Sequence, residues 1–279
     1  MTKACVIGWP ISHSRSPLIH GYWLRKYGID GVYTRQPVPP QELEHFIGGL
    51  IHSGFAGCNC TIPHKEAVFR LVHVADDYTR KVAAVNTVYA RDGRLFGANT
   101  DGEGFLASLA MHCDIHGLKN QNILILGAGG AALAIAGALQ QWGLANIAIA
   151  NRTPERVSAL RQRLGGTITE VEWKYAAAAL SDCALLINTT SLGMAGQQSL
   201  DLDLDRLPPT AVVADIVYVP LLTPLLRTAK GRGNTIVPGL GMLLNQAVRG
   251  FELWFGLRPE VTDELYDLVA RDVDPGWRR

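Results

Sequence analysis

Apolar residues fall in short runs along the chain, separated by longer stretches in which apolar positions recur every third or fourth residue. The short runs, at 4–7, 32–38, 55–61, 84–90, 94–98, 123–126, 146–150, 183–187, 211–215 and 235–237, read as strands. The intervening stretches at 17–27, 41–52, 99–113, 130–142, 154–163, 242–255 and 259–270 read as helices, with two more opening at Pro63 and Thr223-Pro224. Ser16 before Pro17 is placed as an N-cap, with proline at the first helical position. Asp92-Gly93 lies between two strands and signals a two-residue hairpin. From Arg163 to Ser181 no period stands out. Strands alternating with helices in both halves predict an α/β protein with parallel sheets.

One stretch carries a sharper message. The apolar strand at 123–126 runs into Gly127-Ala128-Gly129-Gly130-Ala131-Ala132, a G-x-G-x-x-A turn, and an alanine-rich helix follows, closed by Gly143. Glycines here let the backbone turn tightly and approach a pyrophosphate seated on the positive helix N-terminus. Strand, turn, helix and second strand in this order predict a Rossmann-type, doubly wound dinucleotide-binding domain. The second strand ends in Asn151-Arg152-Thr153, with Arg156 one helical step on. An NAD site usually has an acid there for the ribose 2′-hydroxyl. Guanidiniums instead suit a 2′-phosphate, so the expected cofactor is NADP(H).

Composition narrows the remaining choices. A hydrophobic fraction of 48% against 18% charged residues describes a chain that can build cores rather than stay disordered. The net charge of +1, without a long basic run, argues against nucleic acid as a partner. No apolar run is long enough to span a bilayer and no leader precedes the first strand, so no membrane partner is expected. The five cysteines lack metal-site spacing, and Cys58 and Cys60 share one face of a strand; free buried thiols and a cytoplasmic location are expected, with no metal.

Polar residues at strand ends in the first half are the places for a proton donor to a developing alkoxide. Lys65 opens a helix, where the dipole disfavours its charge, and it reads either as a surface lysine or as a functional group. Asp101 reads equally as a helix N-cap or as a functional carboxylate.

Taken together, several segments resemble the shikimate dehydrogenase family over nearly the whole chain. They are residues 6–17 (VIGWPISHSRSP), 57–65 (GCNCTIPHK), 84–87 (AVNT) and 97–102 (GANTDG), then the glycine turn and Asn151-Arg152-Thr153. In the last third they are residues 187–194 (INTTSLGM), 218–224 (YVPLLTP) and 239–246 (GLGMLLNQ). The resemblance implies a substrate-binding catalytic domain at 1–101, an NADP-binding domain at 102–238, and helices at 239–279 that return to the first domain, with a cleft between the two domains. It implies Lys65 and Asp101 as the catalytic pair. Ser14, Ser16 and Tyr218 would hold the substrate carboxylate, and Thr61, Asn86 and Gln246 its hydroxyls. Thr189, Ser191, Met194 and Met242 would line the nicotinamide side, and Gly239 would also contribute to cofactor binding. The implied reaction is NADPH-dependent reduction of 3-dehydroshikimate to shikimate, and its reverse, by a monomer or homodimer. Gly21 and Cys60 depart from the family pattern without touching a proposed catalytic group. Two rival readings are a quinate/shikimate dehydrogenase favouring NAD and a non-catalytic dinucleotide-sensing protein.

Overall fold

A computed structural model describes residues 1–278; Arg279, the last residue of the expected third segment, lies outside it. The described residues form two compact units, one made of residues 1–100 and 246–269, the other of 101–245 and 270–278.

The first unit holds a mixed six-stranded sheet. Its strands are β1 (Thr2–Gly8), β2 (Gly31–Pro37), β3 (Phe55–Cys60), β4 (His73–Val74), β5 (Thr87–Arg91) and β6 (Arg94–Ala98), in the order β2-β1-β3-β5-β6-β4. β1 pairs in parallel with β2 and β3, while β5 runs antiparallel to both β3 and β6. Two-sided burial explains why residues 4–7 are apolar throughout: β1 is central and Ala4 to Ile7 are at most 2% exposed. Asp92 and Gly93 both have positive φ (50° and 72°), as the predicted tight hairpin turn requires. Cys58 and Cys60 do share a face, their sulfurs 3.9 Å apart in the core, and all five cysteines are free thiols.

Helices pack on this sheet: α1 (Ser16–Lys26), α2 (Leu43–Gly49), α3 (Lys65–Phe69) and α4 (Asp77–Val82). Helix α1 starts one residue earlier than expected. Arg15 is its N-cap, Ser16 and Pro17 are already helical, and the Ser16 amide is taken by the Ser14 hydroxyl at 3.3 Å. Pro63 follows a cis peptide, and the helix it was expected to open begins at Lys65. One glycine is there because nothing larger fits. A Cβ on Gly57 would lie 2.1 Å from the Val88 carbonyl oxygen and 2.2 Å from Trp254 Nε1. That space lets the Trp254 indole donate to Val88 O at 2.8 Å and fixes the chain's late return onto the sheet.

The second unit holds an all-parallel sheet of β7 (Asn122–Leu126), β8 (Ile147–Asn151), β9 (Ile168–Glu172), β10 (Cys183–Asn188), β11 (Val212–Asp215) and β12 (Thr235–Val237). Their order is β12-β11-β10-β7-β8-β9, so the winding reverses between β7 and β10, the topological switch point where such sheets bind dinucleotides. Helix α5 (Asp101–Ala110) precedes β7, helices α6 (Gly130–Gln141), α7 (Pro154–Leu164) and α8 (Pro224–Gly231) follow β7, β8 and β11, and α9 (Gly239–Phe255) and α10 (Asp263–Val273) come last. In α6 residues 132–139 are all buried, which alanine and glycine permit by letting the helix axis approach the sheet. β9 was not expected. It is an edge strand whose Thr169 and Glu172 are exposed and whose polar Thr169, Glu170 and Glu172 break the apolar run. Helices α9 and α10 begin at Gly239 and Asp263 rather than at 242 and 259.

Candidate active site

In the first unit the polar residues singled out from sequence gather along one edge of the sheet. The carboxyl ends of β1 and β3 are neighbours (Ile7 pairs with Cys60), and Thr87 at the amino end of β5 pairs with Asn59 and Ala98. Ser14 and Ser16 lie just beyond β1, Thr61 and Lys65 beyond β3, Asn86 directly before β5, and Thr100 just past β6. Carboxyl ends of parallel strands are where α/β sheets place ligands. The loops there are tied to one another: Trp9 N–H donates to Ile62 O at 3.1 Å, Thr61 N–H to Ile7 O at 3.0 Å, and Val85 N–H to Lys65 O at 2.9 Å. Ser14 is held from outside by Arg35, whose Nε donates to its carbonyl at 2.9 Å.

Asn86 is the hub. It is 2% exposed, its Nδ2 donates to Thr100 Oγ1 at 3.0 Å, and its Oδ1 accepts from the Thr100 amide at 2.9 Å. Thr100 Oγ1 passes a hydrogen bond on to the Gln246 carbonyl at 2.8 Å. Asn59 supports the hub from below, donating to Asn86 O at 3.1 Å and accepting from the Tyr33 hydroxyl. Thr100 and Asn59 were not singled out from sequence. Their signal was present, as polar residues at positions that must be buried, but only the fold shows which partners satisfy them. Lys65 is half-buried at the first turn of α3.

In the second unit, β7 runs into Gly127, whose φ of +103° suits glycine. A Cβ there would lie 2.7 Å from Thr189 Oγ1. Thr189 crosses the switch point, its hydroxyl donating to Leu126 O at 2.6 Å, while Gly127 N–H donates to Ala150 O at 2.8 Å. Asp101 is the first residue of α5 and 7% exposed, a place where the helix dipole favours a carboxylate.

These residues fit a dinucleotide. Helix α6 has twelve residues and no side-chain cap, and β-carbons built on Gly129 and Gly130 would meet nothing, so its first amides face open space. At the end of β8, Asn151 Nδ2 closes a turn onto Thr153 O at 2.9 Å. Arg152 and Arg156 are exposed, and among the described residues neither guanidinium is paired with a carboxylate. The Arg152 guanidinium lies over the Trp173 ring, 5.6 Å from its centroid.

Past β10 the chain is shaped by a buried carboxylate. Asp215 accepts from Asn188 Nδ2 and Val217 N–H, each at 3.0 Å, and from Thr223 Oγ1 at 2.7 Å. Burial pushes its pKa up to about 6, against the pull of those three donors. Asn188 in turn accepts from Thr190 Oγ1 at 2.7 Å, fixing the segment that carries Thr189, Ser191 and Met194. Ser191 and Met194 are exposed on a turn joined to the loop after β11 through Ala195 N–H and Val219 O at 2.8 Å. That loop also carries Tyr218, half-buried. Gly239 is packed under the Ile216 carbonyl, where a Cβ would come within 2.4 Å, and Met242 follows one turn along α9. Among the described residues no cluster has the makings of a metal site, and no helix is long and apolar enough to cross a membrane.

Comparison with known proteins gives this geometry relatives. The chain matches the family models of the shikimate dehydrogenase substrate binding domain over residues 6–88, of shikimate / quinate 5-dehydrogenase over 109–195, and of the shikimate 5′-dehydrogenase C-terminal domain over 239–263. It is 54% identical to the shikimate dehydrogenase (NADP(+)) of Paramagnetospirillum magneticum, over 95% of this chain and 97% of that protein. The shikimate 5-dehydrogenase of Thermus thermophilus, solved with NADP(H) and shikimate, is 35% identical with a TM-score of 0.85, covering 98% of this chain and all of that one. A quinate dehydrogenase from Corynebacterium glutamicum, solved with NAD, has a TM-score of 0.89 at 28% identity, covering 96% and 98% of the two chains.

Proposed function

The chain belongs to the shikimate dehydrogenase family, and we propose from that premise that it reduces 3-dehydroshikimate reversibly to shikimate with NADPH. The observation that carries the cofactor choice is the end of β8, where Asn151 stands in place of an acid and two guanidiniums lie unpaired by carboxylates. When bound, the nicotinamide supplies a hydride to the ring carbonyl. The chain's own part is to hold the two reactants, exclude water and deliver a proton.

In this reading Gly127 to Ala131 and the first turn of α6 hold the pyrophosphate. Asn151, Arg152, Thr153 and Arg156 hold the 2′-phosphate, Thr189, Ser191, Met194 and Met242 border the nicotinamide, and Gly239 adds to the cofactor side. Ser14, Ser16 and Tyr218 bind the substrate carboxylate. Thr61, Asn86 and Gln246 read its hydroxyls, with Asn86 pre-set by Thr100 so that little is reorganised on binding. A site built on such donors rejects analogues lacking a hydroxyl. Lys65 and Asp101 form the catalytic pair, the ammonium donating to the developing alkoxide in reduction and accepting its proton in reverse. Residues 1–101 supply the substrate side, 102–238 the cofactor side and 239–279 the return. We assign the protein to the cytoplasm, where its five free thiols stay reduced, acting as a monomer or homodimer.

The quinate/NAD relative gives a second reading its substance. Asn151 and the paired serines argue against it here. Steady-state kinetics with shikimate and quinate against NADP and NAD decide: a clear preference for shikimate with NADP is expected, and equal or better turnover of quinate with NAD would overturn the assignment.

A further inference from the structure

Arg152 does not stand alone at the end of β8. The parallel register pairs Asn151 with Glu172 and so sets the residues just past each strand, Arg152 and Trp173, side by side. The guanidinium carbon lies 5.6 Å from the indole centroid, within the range of a cation–π contact. A partner of this kind differs from a carboxylate in one decisive way. The indole contact takes up none of the guanidinium's donors, and among the described residues the Arg152 side chain donates no hydrogen bond, so its N–H groups stay available for an anion. The nearby acid is dealt with separately: Glu172 is bound at 2.8 Å by Lys174, which lowers the negative charge a 2′-phosphate would meet.

From this arrangement, and resting on the NADP(H) reading above, we propose that Trp173 is a positioning residue for cofactor choice, fixing the Arg152 guanidinium in the orientation that receives the 2′-phosphate. A free arginine must give up much of its side-chain rotamer freedom when it binds phosphate. Holding the guanidinium near the indole in advance removes part of that loss. The gain falls only on ligands that carry the 2′-phosphate, so Trp173 acts on the ratio between two ligands rather than on binding in general.

The test is calorimetric titration of the full chain with 2′,5′-ADP and with ADP, which needs no turnover. In the wild type 2′,5′-ADP is expected to bind more tightly. Trp173→Ala is expected to narrow the ratio about two- to five-fold, the size of a surface cation–π contact, with the ADP Kd unchanged. Trp173→Phe keeps a ring face and should restore most of the ratio. In an Arg152→Ala background Trp173→Ala should add nothing. A wild-type ratio retained in Trp173→Ala overturns the proposal, as does a parallel loss of ADP binding, which would mean that the indole touches the nucleotide directly. A wild type that does not distinguish the two ligands overturns the NADP(H) reading itself, and this inference with it.

Discussion

The two sheets offer their ligand edges in different materials. At the switch point of the parallel sheet the binding surface is mostly backbone: a glycine turn, the bare amides of α6, and two exposed arginines whose own burial matters little. Along the edge of the mixed sheet it is side chain, with Asn59, Asn86 and Thr100 buried and satisfied by one another before any substrate arrives. Backbone amides can grip a phosphate common to many ligands, whereas telling one polyol acid from another needs donors and acceptors set at particular points. The contrast predicts where damage will be felt. On the substrate side a single substitution should strike chemistry or stability, and on the cofactor side it should strike affinity for one part of one ligand.

The largest effect belongs to Lys65. If it is the proton donor, Lys65→Ala lowers kcat by about 10²–10⁴ while NADPH affinity, read by fluorescence titration, stays at the wild-type value. A kcat within a few-fold of wild type would remove catalysis from this edge. Asn86 comes next. Asn86→Ala strands the buried Thr100 amide, a group worth about 1–3 kcal/mol when left unsatisfied, while the Thr100 hydroxyl keeps its bond to Gln246 O, so urea unfolding should show a loss of roughly 1–3 kcal/mol. If stability is untouched, the buried network is not what shapes the substrate edge.

Asp215 sharpens the comparison from the other unit, where it is a buried carboxylate with a raised pKa. Burial raises it from 3.8 to about 6. Between those values the folded state binds the proton more tightly than the unfolded state, so this group's contribution to stability falls as pH rises and levels off above about 6. At about 1.4 kcal/mol per pH unit the whole change is at most about 3 kcal/mol. Asp215→Asn cannot titrate. Urea unfolding at pH 4.5 and pH 7 should therefore show the variant gaining on the wild type at the higher pH. A difference independent of pH would mean the carboxylate is solvated well enough to ionise at its ordinary value.

The same contrast explains what could be read from the chain alone. The glycine turn was legible because its residues are contiguous and their spacing follows from backbone geometry. The strands were legible where two-sided burial made them continuously apolar, as in β1, β7 and β10. Edge strand β9 was not, because three of its five residues are polar and two are exposed, and Trp173 was hidden with it. Ser16 misled in a small way. A serine before proline has the composition of an N-cap, but the choice between Arg15 and Ser16 is settled by where the Ser14 hydroxyl reaches. Thr100 was visible only as part of a turn. Its partners Asn86 and Gln246 are 14 and 146 residues away in sequence, and no local pattern encodes that meeting.

The smallest and most selective effect is expected at Arg152. Its side chain is exposed and carries no structural hydrogen bond, so Arg152→Ala should leave folding unchanged, with surface substitutions of this kind usually within about 0.5 kcal/mol. What it removes is a charge-assisted bond to a 2′-phosphate, worth about 1.5–3 kcal/mol, which is roughly a 10- to 100-fold rise in the KM for NADPH. NADH has no such phosphate, and its KM should not move. Because Arg156 is still present, some preference for NADPH should survive, and the double substitution should remove most of the rest. An Arg152→Ala enzyme with an unchanged NADPH to NADH ratio would show that the phosphate is gripped elsewhere. The cofactor edge would then owe its selectivity to something other than these two guanidiniums.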